Sequence, residues 1–302
     1  MTIRILLWAC LCGLYASNCP AQTTVHSFLE TIDVKTGKRT VVYSEPTLFE
    51  APNWSKDGRY LLFNKKGRLY RYWLNDGIVD ELPLDSSLSA NNDHGFSPDG
   101  QLVVISGYRQ TTGGGSFLYT TPAEGGPLKP LIRQSPAFWH GWSPDGKTLA
   151  FVGLRNGDFD IYTVPADGGT EKRLTHEKGL DDGPDFSPDG KYIYFNSFRS
   201  GRMQIWRMDA DGQDPQQLTD DHYANWFPHP SPNGKLVVFL SFMEDQQQEH
   251  PFGKNVQLRL LDMVTQTVRD LTPVFFGGQG TINVPSWSPD GRHLAFVSYR
   301  VQ

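Results

Sequence analysis

Cysteine is almost absent. The 302-residue chain has three, Cys10, Cys12 and Cys19, all within its first 19 positions. Once that segment is set aside no thiol remains, so disulfide staples and thiol chemistry have no residues to use. Past Tyr15 no apolar run approaches the roughly 20 residues of a membrane-spanning helix. Positive charge is also scarce, with 28 Lys and Arg against 33 Asp and Glu, a net charge of −5 and no polybasic stretch. Nucleic acid is therefore not an expected partner. G-x-G-x-x-G, C-x-x-C, H-E-x-x-H and G-x-S-x-G are all missing, which leaves nucleotide, thiol, zincin and serine-peptidase readings without an anchor.

The first 21 residues have the layout of a targeting signal. Arg4 precedes an apolar run from Ile5 to Tyr15, and a small-residue site follows at Cys19-Pro20-Ala21. This is the pattern of a secretory signal peptide cut after Ala21. Asn18 before Cys19 stands where lipid attachment would want a small residue. The expectation is an exported protein, periplasmic or secreted, whose mature chain starts near Gln22.

The rest of the chain repeats itself. "NWSKDGRYLLF" from Asn53, "GFSPDGQLVVI" from Gly95, "GWSPDGKTLAF" from Gly141, "DFSPDGKYIYF" from Asp185, "HPSPNGKLVVF" from His229 and "SWSPDGRHLAF" from Ser286 are variants of one phrase. Their serines, at 55, 97, 143, 187, 231 and 288, are 42, 46, 44, 44 and 57 residues apart. A period in the forties is the length of a four-stranded propeller blade. Ser-Pro-Asp-Gly is a tight turn: Pro presets φ, Asp bonds back to the backbone and Gly accepts positive φ. The apolar run after it suits a strand buried on both faces. Each repeat then reads as inner strand, turn, second strand, loop, third strand, hairpin and short outer strand. The sixth repeat stops after its second strand, and "HSFLETIDV" with "RTVVYS" near the start supplies a matching hairpin. The predicted fold is all-β: residues 22–302 form a six-bladed propeller with the N-terminal strands closing the last blade.

Strand direction alternates, so residues just before each Ser-Pro-Asp-Gly rim one mouth of the axial channel. Asp181, Asp182 and Asp185 crowd there in the fourth repeat and are expected at a water-facing funnel. Asn92, Asp93, His94, His140, Trp226, His229, Gln279 and Asn283 take similar places elsewhere. Each second strand is followed by a basic residue, including Arg109, Arg155 and Arg199. These form either a cationic rim suited to an anionic sugar or peptide carboxylate, or structural bonds to carbonyls of the neighbouring blade. His94 and His140 are either a metal or acid/base pair or satisfied hydrogen-bonding residues. Trp139 and Trp226 either pack between blades or serve as sugar platforms. The long polar segment 242–255 is either a lid or a tolerated insertion.

The repeats resemble the WD-like β-propeller repeats of TolB. Segments such as "NNDH", "HGWSPDG", "GLDDGP", "NWFPH" and "GGQGTINVPSWSPD" are similar to those of stand-alone exported TolB-like propellers. The resemblance implies a monomeric binding module that holds a protein, peptide or glycan at its funnel face. A more distant similarity, to oligogalacturonate lyase propellers, implies the alternative: a metal-assisted lyase or hydrolase acting on an anionic oligosaccharide. In that alternative a divalent metal is the cofactor and His94, His140 and His229 its ligands, with Gln279 of a suitable type beside them. No catalytic residue is assigned by either resemblance.

Overall fold

The computed structural model describes residues 24–109, 113, 115–155 and 157–302. The proposed signal segment lies outside them. Strands β1 (Val25–Asp33) and β2 (Arg39–Glu45) come first, followed by five blades in chain order. Blade 1 is β3 (Phe49–Trp54), β4 (Tyr60–Lys65), β5 (Arg68–Trp73) and β6 (Val79–Glu81). Blade 2 is β7 (Leu88–Phe96), β8 (Leu102–Arg109), β9 (Ser116–Pro122) and β10 (Lys129–Pro130). Blade 3 is β11 (Ala137–Trp142), β12 (Thr148–Arg155), β13 (Asp158–Pro165) and β14 (Lys172–Arg173). Blade 4 is β15 (Asp181–Phe186), β16 (Tyr192–Ser197), β17 (Gln204–Asp209) and β18 (Gln216–Gln217). Blade 5 is β19 (Ala224–Pro230), β20 (Leu236–Phe242), β21 (Phe252–Asp262) and β22 (Thr267–Asp270), with β23 (Phe275–Gly278) added on β21. The last strand, β24 (His293–Val301), joins β1 and β2 in the sixth sheet.

The expected closure is present. β1 pairs antiparallel with β24 along its whole length, from Val25 opposite Val301 to Asp33 opposite His293. The sixth inner strand departs from the plan: it is reduced to a single bridge between Trp287 and Leu294. The chain before it has been drawn onto blade 5 as β23, and the longer last spacing comes mainly from the long β20–β21 connection and the long β21 that β23 pairs with.

Each repeat turn is clamped by its serine. Ser187 Oγ donates to Asp189 Oδ1 at 2.7 Å and accepts from Tyr192 N at 2.9 Å. The same pair of bonds recurs at Ser97, at Ser143 and at Ser288. The turn glycine sits in the left-handed region, at φ 72° for Gly190 and 71° for Gly100, where a side chain would be strained. The clamp fixes where the second strand begins and which way its side chains face. Odd and even residues of that strand then serve different interfaces. Leu61 and Phe63 pack with Leu29 and Val297 of the sixth blade, whereas Leu62 packs with Val103 and Ile105 of blade 2. Among the described residues an apolar cluster fills each of the six junctions between neighbouring blades. The turn face is less plain than its motif suggests: Trp54, Phe96, Trp142, Phe186 and Trp287 line a basin of about 330 Å3 there.

Ring closure should dominate stability. Leu29 is fully buried at the junction of the sixth and first blades, so Leu29→Ala should cost about 2–5 kcal/mol. Deleting residues 22–44 should expose β24 as an open edge and produce oligomers or unfolded chain. Size-exclusion chromatography and thermal unfolding check this, and a truncated monomer with unchanged Tm overturns it.

Candidate functional site at the funnel mouth

The inner strands lose register at one place each. One extra residue is inserted between Glu50 and Asn53 in β3, Trp139 and Gly141 in β11, Asp182 and Asp185 in β15, and Trp226 and His229 in β19. In β7 two are inserted, between Ala90 and His94. Such bulges bend a strand and re-aim its side chains. Here Asn91, Asn92 and Asp93, His140, and Phe227 all come to line one cavity. The preceding blade holds several of them in place. Asn64 Nδ2 donates to Ala90 O and Asn91 O, Trp139 N donates to Ser106 Oγ, and Phe227 N donates to Asn196 Oδ1. Phe227 has φ 54° and Gly183 φ 59°. A Cβ on Gly183 would lie 2.7 Å from Asn196 Oδ1, so glycine is required there.

These residues open into a cavity of about 360 Å3 at the loop face. Asp182 is its hub. Oδ1 accepts from Gly183 N at 2.7 Å and faces His140 Nε2 at 3.2 Å, while Oδ2 faces His250 Nε2 at 3.6 Å. His140 Nδ1 lies 3.1 Å from Asn283 O. A carbonyl and a carboxylate both accept, so this geometry suits an imidazolium that donates from both nitrogens. Burial disfavours charge on His140, but the Asp182 bond and the Asp182 and Asp93 charges outweigh it and raise its pKa. Burial likewise opposes charge on Asp182, yet His140 holds its carboxyl below the usual value. Burial pushes His250 down despite Asp182, leaving it neutral at neutral pH. Asp93 is pushed up to about 6 by burial, against the pull of His140 and with Asp182 adding repulsion. Glu50 is pushed up to about 7 by burial and the Asp93 charge. The aromatic walls are Tyr108, Phe138, Phe159 and Phe227.

Of the sequence candidates, Asn92, Asp93, His140, Asp182, Gln279 and Asn283 line this cavity. The others are used elsewhere. Asp181 is buried against Arg199 at 3.0 Å, and Asp185 is buried against His229 Nδ1 at 3.1 Å, so the aspartates are not a water-facing trio. His229 Nε2 also meets Ile282 O at 2.8 Å, which leaves neither ring nitrogen for a ligand. His94 is fully buried outside the cavity, and burial pushes its pKa to about 4. Trp226 is fully buried and serves packing, as does Trp139. Arg109 bonds Asp85 and Ser87, and Arg155 bonds Glu171 and Pro136 O. With Arg199 on Asp181, all three arginines close the loops of their own blades and make no cationic rim. Among the described residues no three His, Asp or Glu side chains are grouped to hold a metal ion, and His94, His140 and His229 occupy three separate environments.

Sequence reasoning missed His250 as a site residue. It belongs to the segment joining β20 and β21, and its ring packs edge-on to Trp226 at 4.7 Å and Phe227 at 5.1 Å. Gln248 Oε1 accepts from Leu180 N at 2.9 Å, tying that segment to blade 4. The segment is a wall of the cavity, and its unusual length and polarity were its only signal.

Residues 132–282 match the profile of the TolB β-propeller domain. Atu1656 of Agrobacterium fabrum, which carries no functional description, is 47% identical over 277 residues, covering 91% of this chain and 93% of that protein. The chain belongs to the TolB-like β-propeller family. A solved Agrobacterium tumefaciens structure bearing a provisional TolB label superposes on this TolB-like propeller with a TM-score of 0.87, at 47% identity over 91% of this chain and 99% of that one. TolB of Acinetobacter baumannii shares the fold, with a TM-score of 0.65 at 20% identity over 84% of this chain and 64% of its own. An oligogalacturonate lyase of Vibrio parahaemolyticus does so too, with a TM-score of 0.59 at 13% identity over 90% of this chain and 82% of its own. The Tol-Pal system protein TolB of Anaeromyxobacter dehalogenans is 32% identical over only 89 residues, 30% of this propeller and 20% of that protein.

Asp93 gives this TolB-like propeller a measurable stability signature. Its folded pKa of about 6 exceeds the ordinary 3.8. The folded state therefore binds more protons between those values, and stability falls as pH rises through that window. Asp93→Asn removes the cost and can still accept from Asn91. It should be roughly 1–3 kcal/mol more stable than the parent at pH 7.5, with the difference gone by pH 4. Thermal unfolding across pH checks this, and a destabilised variant at pH 7.5 overturns it.

Proposed function

We propose that this chain is an exported binding module of 22–302, preceded by a signal peptide of 1–21, that captures its ligand at the funnel mouth of the axial channel. The observation that carries the reading is the convergence of bulge residues from blades 2, 3 and 5 with Asp182 and His250 on one cavity. Strand ladders do not need such bulges, and polar residues are costly to bury unless they are used. Binding asks only for this shaped, charged surface. The lyase alternative asks for a metal set and for arginines on a uronate, and the arginines named above are held within their own blades. Export to the periplasm or beyond is supported by the Arg4, Ile5–Tyr15 and Ala21 pattern.

Two measurements test this. Mature protein from the exported fraction should begin at Gln22 and contain no titratable thiol; a thiol in it would place cleavage earlier. A photo-crosslinking residue at Tyr108, on the cavity rim, should yield adducts in the cell envelope by intact mass, and Asn92→Trp should suppress them by filling the cavity. The control position is Val264, which is 77% exposed on the β21–β22 turn. Equal adducts at both positions, or none at Tyr108, overturn the funnel as the binding face.

A further inference from the structure

The cavity has a charge pattern that selects its ligand. Among the described residues no Lys or Arg lines it. Its one lining cation, His140, is already engaged by Asp182. Asp93 is 5% exposed; Oδ2 accepts from Asn91 Nδ2 at 2.8 Å, and Oδ1 has no hydrogen-bond partner in the protein. Asn92, beside it, is 7% exposed, lines the same cavity, and makes no side-chain hydrogen bond at all. Two polar side chains are thus buried by more than nine-tenths overall while keeping acceptor atoms open to the cavity. Polar groups in such a place are almost always satisfied, by water or by a ligand, and a ligand is the partner absent here.

Resting on the funnel reading above, we infer that the absent partner is an alkylammonium group, seated between the Asp93 carboxylate, the Asn92 amide and the aromatic walls. A carboxylate oxygen and an amide oxygen both accept, and an ammonium only donates. The rings of Phe138, Phe159 and Tyr108 on the cavity wall can attract a cation and accept its alkyl chain, while Phe227 is stacked on His140. An anionic sugar would meet Asp93 and Asp182 with no free basic group to offset them. A neutral sugar would leave the Asp93 charge offset only by the His140 imidazolium, which is already engaged by Asp182. A metal ion lacks a third ligand group among the described residues. The ammonium can come from a free amine or from a lysine side chain, and the chemistry of the seat is the same.

The groups that titrate around this seat are Asp93 on β7, Glu50 on β3, His140 on β11, Asp182 on β15, His250 before β21 and Tyr108 on β8. Asp93 is the one in direct contact with the ligand, so affinity should weaken as pH falls through about 6.

The test uses the mature protein at pH 7.5 and constant ionic strength. Isothermal titration is run with n-butylammonium, cadaverine and a terminally blocked Gly-Lys-Gly peptide, against n-butanol, galacturonate and potassium chloride. The expected result is that amines bind at least about tenfold tighter than n-butanol, and that Asp93→Asn, which should stay folded, loses about tenfold or more. Tighter binding of the peptide identifies a protein lysine as the source; binding of the free amines alone identifies a small amine. Preference for galacturonate or n-butanol overturns the inference, as does absence of heat with every amine. If Tyr108 adducts persist in either case, the funnel reading survives and only the ligand class falls.

Discussion

A buried carboxylate that must be shared among three blades organises the cavity. Asp182 belongs to blade 4, His140 to blade 3 and His250 to the segment beginning the outer half of blade 5. Removing this charge would leave an imidazolium on His140 with a carbonyl as its remaining partner. It would also release the segment that walls one side of the cavity. Breaking such a buried pair from one side is costly because the other charge is stranded. The arrangement therefore resists piecemeal change, and the positions of Asp93, Asn283 and Phe227 are set relative to it.

The bulges are what allow polar groups to reach that hub. A regular inner strand alternates its side chains between the two neighbouring blades and would send most of them into apolar junctions. An inserted residue has no place in that alternation and turns along the axis instead. The repeat places these insertions at the same point in five blades, just before the clamped turn. Blade 2 inserts two residues where the others insert one, and it supplies Asn91, Asn92 and Asp93.

The blade order, the tight turn and the closing hairpin were legible because each depends on local chemistry: Pro, Asp and Gly at fixed offsets, or an apolar run of strand length; the serine clamp on that turn was not. The cavity was half legible. Position before the turn led to Asn92, Asp93, His140, Asp182, Gln279 and Asn283, which all lie on the cavity wall. It failed for Asp181 and His229 because adjacent residues of a strand point to opposite sides, and a bulge shifts which side is which. Asp181 and Asp182 are neighbours in sequence, yet one meets Arg199 and the other the cavity. His250 was beyond reach because its place is fixed by ring packing on Trp226 and Phe227. Nothing in its own stretch of chain encodes that contact.

The pairing of β1 with β24 has a kinetic side. It joins residues more than 250 positions apart, so the closing contact has the largest sequence separation the fold can offer. Contacts of that range are slow to form. During synthesis the first five blades can assemble in order, each on its predecessor, while β1 and β2 wait without their partner strand. Leu29 can already pack on Leu61 and Phe63 of blade 1, but Ile32, whose partners belong to blade 5 and to β24, stays exposed through that interval. The ring is thus a structure whose earliest segment is the last to be buried, and a chain halted short of His293 is an aggregation-prone intermediate rather than a smaller propeller.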